Sequence, residues 1–457
     1  MKMRLLFIVA AVFLGTPYSL FAKEYSLNEL YTLSLQKSEL IRIAEEDVFI
    51  SERGRDKAVS EFLPTLSAFG EHTRYSRERS QAGVLLQPDY SNEWGLRLDQ
   101  TLSLGGREVT AFQIAKEETD RSKHELHSTK EEFLLTVAAR FYSVLGAKKE
   151  VEITGANLER LKKYRDAAAK RHEVGEVTKT VLLRAEAELA GARSERIKSE
   201  NNLKIAKTIL EKTAGISGDY DLKEPEPGVD YHVPEKGIVH FDFLEECSMT
   251  VLDCLKETAF SERAEIQSLL IQKKISEDEV SFARGSYWPD LSLEGVYARR
   301  ENEPALSVEL HETTYGAVKL NFPFFEGGLR RSEVSEARAK LRQAEYGYTD
   351  LKKTIGVEVE NSYLIVIREA SVLEHLKAEV EYARDNYNLV TRQFHHGLAD
   401  SLDVIDANTL LVTAERDYAT ARYVYQFALL RLKRVTGMLL KTVLREQEPG
   451  VELTNNN

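Results

Sequence analysis

Slid along itself by 222 residues, so that Arg107 falls on Leu329, this chain of 457 residues meets a second copy of itself. Leu104-Gly105-Gly106-Arg107 lands on Glu326-Gly327-Gly328-Leu329, His172-Glu173-Val174-Gly175 on Phe394-His395-His396-Gly397, and Thr213-Ala214-Gly215 on Val435-Thr436-Gly437. An earlier joint repeats as well, with Phe62-Leu63-Pro64 answering Tyr287-Trp288-Pro289 at a shift of 225. The three-residue difference falls between proline and Gly-Gly, where a surface loop absorbs it and a helix register would not. The chain is therefore two copies of one unit, and the prior of about three domains for this length gives way to the repeat.

Inside each copy the period is seven. Val137, Val144, Val151 and Leu158 are answered by Val359, Val366, Leu373 and Val380. Leu182, Leu189, Leu203 and Leu210, interrupted by Arg196, are answered by Val404, Leu411, Tyr425 and Leu432, with Tyr418 opposite the arginine. A sustained heptad predicts helices supercoiled on neighbours, each buried knob contributing roughly 1.5–3 kcal/mol. Arg107–His172 and Leu329–Phe394 contain no proline and only two glycines each. Each predicts one helix of about 66 residues, about 100 Å long, a rod too long for a compact enzyme. Gly175 and Gly397 supply a residue able to take positive φ and reverse the chain.

The expected plan is mainly α with a small β part. A first repeat at 23–215 carries a helix, a β-hairpin at 64–104, a long helix at 107–172 and a return helix at 177–214. A second at 263–437 carries a helix, a hairpin at 289–325, a long helix at 329–394 and a return helix at 398–436. A linker at 216–262, with Pro225, Pro227 and Pro234, joins them, and a tail follows at 438–457.

The hairpins show period two. Trp94, Leu96, Leu98, Leu102 and Leu104 point one way, while Arg97, Asp99, Thr101 and Ser103 point the other. In the second copy Val318, Leu320, Phe322 and Phe324 oppose Lys319 and Asn321, and Leu291, Leu293 and Tyr297 oppose Asp290, Ser292 and Glu294. The first-copy partner, Thr65 to Tyr75, alternates poorly. An apolar row faces either a soluble core or lipid. The amino terminus favours lipid. Residues 1–22 read as a secretory signal, with Lys2 and Arg4 before the apolar run Leu5 to Leu14. Beyond them no run reaches the roughly 18 apolar residues of a membrane helix, so a spanning segment must be a closed barrel. Four strands per chain cannot close a wide barrel; three chains would supply twelve.

Other features exclude more than they assign. The net charge of -12 argues against a nucleic-acid partner. No phosphate loop, zinc-protease motif or nucleophile elbow marks an enzyme, and no cofactor or metal is implied. His124 and His127 stand three apart on a helix, the spacing of a metal pair that ten histidines in this length make an ordinary coincidence; His395 and His396 adjoin the second reversal, where they could report pH but are expected to be solvated. Cys247 and Cys254 would lie about 10.5 Å apart on a single helix, beyond bridging distance, although an exported chain permits a disulfide.

With the prolines, the Gly-Gly joints and the opening Ser26-Leu27-Asn28-Glu29-Leu30, the stretch Gly397-Leu398-Ala399-Asp400-Ser401-Leu402-Asp403-Val404-Ile405-Asp406-Ala407 resembles the TolC-like outer-membrane efflux proteins. The likeness covers nearly all of the chain after the signal. It implies a homotrimer in the outer membrane, with a 12-stranded barrel above an antiparallel coiled-coil helical tunnel in the periplasm. It also implies a periplasmic adaptor (membrane fusion) protein and an inner-membrane pump of RND or ABC type as partners. Gly175 and Gly397 become the turns where an adaptor docks, and Pro64, Pro289, Gly105, Gly106, Gly327 and Gly328 the strand–helix joints. Asp403 and Asp406 become the constriction, where three chains would set six carboxylates around one axis; such a ring attracts cations and resists full ionisation.

The sequence departs from that pattern at the first reversal, where Val181 stands for an aspartate and Arg184 occupies the position of Asp406. Ala399 replaces a latch arginine and Phe394 a latch tyrosine, so a closed state is expected to use Arg184 against Asp403 or Asp406. The expected function is an exit duct for efflux or type I secretion. The alternative is a periplasmic coiled-coil adaptor or scaffold without a membrane barrel.

Overall fold

The computed structural model describes residues 23–81, 84–225, 250–305 and 310–447. The signal reading, Pro227, Pro234, Cys247 and the end of the tail fall outside the described residues. A short strand β1 (Lys23–Tyr25) leads into helices α1 (Leu27–Lys37) and α2 (Glu39–Ser60). Strands β2 (Thr65–Arg74), β3 (Arg79–Gln81), β4 (Val84–Gln87) and β5 (Tyr90–Ser103) follow, then α3 (Arg107–Glu173), α4 (Lys179–Ala214) and β6 (Tyr220–Leu222). The second unit runs α5 (Val251–Glu262), α6 (Ala264–Gly285), β7 (Asp290–Glu303), β8 (Glu312–Asn321), α7 (Leu329–His395), α8 (Ser401–Val435) and α9 (Leu439–Gln447).

Both units open on a helix pair, which the sequence reading held as one helix. Ser38 ends α1 and caps α2 by accepting from the Ile41 amide; Arg263 stands at the same joint between α5 and α6. Helix α5 thus belongs with the second unit, although the prolines before it had placed its residues in the linker. It starts at Val251, so the single-helix spacing argued for the two cysteines does not apply. Cys254 is disulfide-bonded, and Cys247 is the chain's only other cysteine.

The long helices α3 and α7 each have 67 residues. Their heptad rows are the buried seams: Val137, Val144, Val359, Val366, Leu373 and Val380 all lie inside, as do Leu189, Leu210, Val404, Leu411, Tyr425 and Leu432 on the return helices. The interrupting Arg196 also has a packing reason. Its guanidinium donates to the Val151 carbonyl and to Glu200 (2.7 Å) and lies over Gly155, where any Cβ would meet Nη1 at 2.6 Å. No helix among the described residues is long and apolar enough to cross a membrane.

A belt closes around the middle of the helices. Strand β1 pairs in parallel with β6, and α9 buries Leu439, Leu440 and Val443 against Leu134, Phe141 and Tyr31.

Four strands form one antiparallel sheet in the order β2-β5-β7-β8, so the two hairpins join across the repeat through β5 and β7. The joint at the foot of this seam is tight. A side chain at Gly105 would run into the backbone of Gly285, which explains the first glycine of that Gly-Gly pair. The sheet rises beyond the alternating rows read from the sequence, which began at Trp94 and ended at Tyr297. Segments 76–93 and 300–314 contribute strand, because Glu93 lies opposite Arg300 and accepts from its Nε at 2.9 Å. Downward it is shorter: β8 stops at Asn321, and Phe322 and Phe324 flank Pro323, which cannot donate to a ladder.

Candidate functional site

The sheet register converts the alternation into two faces. Leu66 lies opposite Leu98, Leu96 opposite Tyr297, Leu102 opposite Leu291, Leu291 opposite Leu320 and Leu293 opposite Val318. Residues paired directly share a face, so these side chains form one apolar surface, interrupted by Gln100 opposite Leu293 and by Arg299 opposite Trp94. The weakly alternating β2 joins it through Leu66 and Ala68. The opposite face carries Arg97, Asp99, Glu294, Thr101, Ser292 and Lys319. Lys319 and the Tyr315 hydroxyl (3.0 Å) both donate to Glu294, and Thr101 shares a hydrogen bond with Ser292 at 3.1 Å. Trp94, Leu96, Val318 and Leu320 remain exposed on the apolar side. Nothing of the described chain covers that surface.

At the far end of the helices lie the two reversals. Gly175 and Gly397 take φ of 78° and 73°, and the chain closes each turn with a bond spanning five residues, Glu176 N to Arg171 O (2.9 Å) and Leu398 N to Gln393 O (2.8 Å). Past that point the two differ. Thr178 caps α4 with no side-chain bond, whereas Asp400 accepts from the amides of Leu402 (2.7 Å) and Asp403 (3.0 Å). Asp403 answers by accepting the Asp400 amide at 2.8 Å, a reciprocal capping box. Asp403 is therefore fixed by its own backbone, and Asp406, three residues on, shares its face. Both are exposed. Arg184 is exposed too, and among the described residues it makes no ion pair with either aspartate of its own chain.

Phe394 is not at a surface. It is 3% exposed, in a cluster with Leu161, Tyr164, Ala168, Leu189, Val404 and Ile405. The Arg171 guanidinium lies 4.8 Å from its ring and donates to its carbonyl at 3.3 Å. The bond that ties the turns is one that sequence reasoning missed: the Tyr164 hydroxyl donates to Ser401 Oγ at 2.6 Å. Burial pushes that hydroxyl above the usual tyrosine range, so it stays a donor.

A legible signal lay in the polar heptad Ser401, Asn408, Glu415 and Arg422. Each member bonds back across the repeat: Ser401 to Tyr164, Asn408 to Asn157 (2.8 Å) and Arg160 (3.0 Å), Glu415 to Arg160 (3.4 Å), and Arg422 to Glu224 (3.4 Å). Arg416 adds a two-pronged pair with Glu150. These bonds fasten α8 of the second unit to the first unit.

The sequence model described as outer membrane efflux protein matches residues 30–216 and 255–438, both units almost entire. The chain belongs to this family. It is an outer-membrane channel-tunnel protein of efflux or secretion, and the family is one of channels rather than enzymes. It is 21% identical to outer membrane protein TolC of Escherichia coli K12, over 84% of this chain and 76% of that one. It is 22% identical to the alkaline protease secretion protein AprF of Pseudomonas aeruginosa, over 70% and 64%. The fold matches the Campylobacter jejuni CmeC outer membrane channel with a TM-score of 0.76, at 15% identity, over 94% of this chain and 90% of that one.

Proposed function

We propose that three copies of this outer-membrane efflux family chain close a 12-stranded barrel on a common helical tunnel, giving a passive exit duct that a periplasmic adaptor and an inner-membrane RND or ABC pump load. The observation that carries the assembly is the inequality of two equivalent helices. Helix α6 buries Ser268 and Ile275 against α3; at the same positions α2 leaves Ile43 and Ile50 61% and 64% exposed. A second copy supplies the missing partner if its α7 stands to α2 as α3 stands to α6.

The side chains at that boundary fit. Inside the chain Lys274 pairs with Glu117 (2.6 Å), Gln272 accepts from Arg121 (2.8 Å) and Ser268 donates to Glu125 (3.3 Å). Repeat symmetry sets Phe49 against Ala339, Asp47 against Gln343 and Ile43 against Gly347 of the next copy. Gly347 has open space where a Cβ would stand, room for the larger Ile43. The free edges β2 and β8 fit the same rule, since an unpaired edge is forbidden in lipid.

Asp403 and Asp406 of three copies would ring the tunnel's closed end, and Gly175 and Gly397 would meet the adaptor. Arg184, without an acidic partner among the described residues of its own chain, would reach the aspartates of a neighbour. The family is described by efflux and its relative AprF by secretion of a protease, so both kinds of export fit this duct.

Fractionation followed by detergent-phase mass determination tests the assembly. A species of three chains in the outer-membrane fraction is expected. A monomer or dimer released without detergent would favour the scaffold reading and remove the barrel.

A further inference from the structure

We propose that Glu131 is a proton-operated clasp, gripping the first turn of the C-terminal helix α9 while its carboxyl is neutral and loosening that grip as it ionises. Helix α9 follows Gly437 with Met438 at the capping position, whose side chain has no acceptor to offer. The cap comes instead from another helix. Glu131, on α3, accepts the Leu440 amide at 2.8 Å. Its side chain is 5% exposed, and its second oxygen is buried without a hydrogen-bond partner. A carboxylate held that way lacks half of its solvation, whereas a carboxylic acid is far less penalised.

Among the described residues no neighbour supplies a free counter-charge. On α3, His127 Nε2 stands 3.9 Å away, Glu132 is engaged by Arg434 (3.0 Å), and Lys130 faces Glu45 of α2 (3.6 Å). From the joint between α5 and α6, Arg263 is held by Glu265 (3.0 Å) and by Glu358 of α7 (2.5 Å). From α8, Arg434 is shared between Glu132 and Glu265 (2.8 Å); on α9, Lys441 pairs with Glu262 of α5. His127 adds no cation near neutrality, because burial, then His124 and Lys441, push its imidazole down. Burial drives the Glu131 carboxyl up to about 7, against the opposing pull of the Leu440 amide and Arg434.

With α9 undocked, Glu131 meets water and titrates in the ordinary range near 4.5. A group whose docked pKa is raised favours docking fully below its undocked value. That advantage is lost as pH climbs through the docked one. The grip is therefore complete in acid, fades between about pH 4.5 and 7, and is gone above that window.

Hydrogen exchange of peptides spanning 439–447 in the detergent-solubilised full chain, corrected for intrinsic rates, reads the clasp directly. Between pH 5.5 and pH 8 the protection of α9 is expected to fall roughly thirtyfold while the α3 and α7 peptides hold theirs. Glu131→Gln, neutral at every pH, is expected to hold α9 equally at both. His127→Gln is expected to keep the wild-type fall. Equal profiles for wild type and Glu131→Gln, no fall in wild type, or a flat profile in His127→Gln would each overturn the proposal.

Discussion

The hydroxyl of Tyr164 and the Oγ of Ser401, 237 positions apart in sequence, meet at 2.6 Å where α3 passes the start of α8. Ser401 is also the first residue of α8, beside the Asp400 cap, so one bond fixes both the helix start and its distance from the first unit. Tyr164→Phe and Ser401→Ala are each expected to cost about 0.5–1.5 kcal/mol. Their double-mutant cycle should show coupling of similar size, since both remove the same bond. Thermal melts of the helical signal check this, and additive losses would mean that the contact contributes nothing.

Phe394 separates a latch from a core residue. Its 3% exposure and its place among Leu161, Tyr164 and Val404 predict a loss of about 3–5 kcal/mol for Phe394→Ala. Phe394→Leu should cost under about 1.5 kcal/mol. A residue serving only as a gate latch would change conductance and leave the melt of both variants where it was.

Periodicity made the helices, their seams and one apolar strand row legible, because seven- and two-residue spacings are properties of the chain alone. What escaped notice was set by contacts between units. The height of the sheet depends on Glu93 meeting Arg300, and the tie at the turns on Tyr164 meeting Ser401. No local pattern announces the first pair, and the polar heptad that begins at Ser401 marks one member of the second without naming its partner. Phe394 is read only as the replacement of a latch tyrosine, since its absent hydroxyl is legible in the sequence and its buried surroundings are not. Arg184 is exposed beside the first reversal, and among the described residues it pairs with neither Asp403 nor Asp406 of its own chain.

Repeat symmetry gives a register for the seam between copies in the proposed barrel. Gly95 lies opposite Ala298 within the chain; the equivalent pair between copies is Ala317 with Thr73. The Thr73→Cys, Ala317→Cys chain is expected to cross-link into a covalent trimer under mild oxidation. Thr73→Cys with Tyr315→Cys, two residues out of register, should not. If the trimer forms by mass but only the shifted pair cross-links, the register is wrong and the channel assembly stands.

Arg184→Ala should raise single-channel conductance if Arg184 bridges to a neighbour's Asp403 or Asp406 in the closed state. If three copies ring Asp403 and Asp406 at the closed end, Asp403→Ala and Asp406→Ala should each weaken cation preference, because each would remove three carboxylates. Asp403→Ala should also lower stability slightly through the lost capping box, and Asp406→Ala should not. Unchanged conductance in Arg184→Ala would remove the bridge.

Glu265 gives the belt an acid limit of opposite sign to the Glu131 clasp. Burial alone would raise its carboxyl, yet the hydrogen bond and charge of Arg263, then the charge of Arg434, hold it at about 2. A folded pKa depressed below the ordinary 4.5 contributes stability that is present above 4.5 and lost as pH falls toward 2. Glu265→Gln leaves Arg263, 5% exposed, with Glu358 alone, and a cost on the order of 3 kcal/mol is expected at pH 7. The melting-temperature gap between Glu265→Gln and wild type should narrow steadily below pH 4.5 and nearly close by pH 2. A gap that stays constant over that range would mean that Glu265 stabilises the belt by its shape and not by its charge.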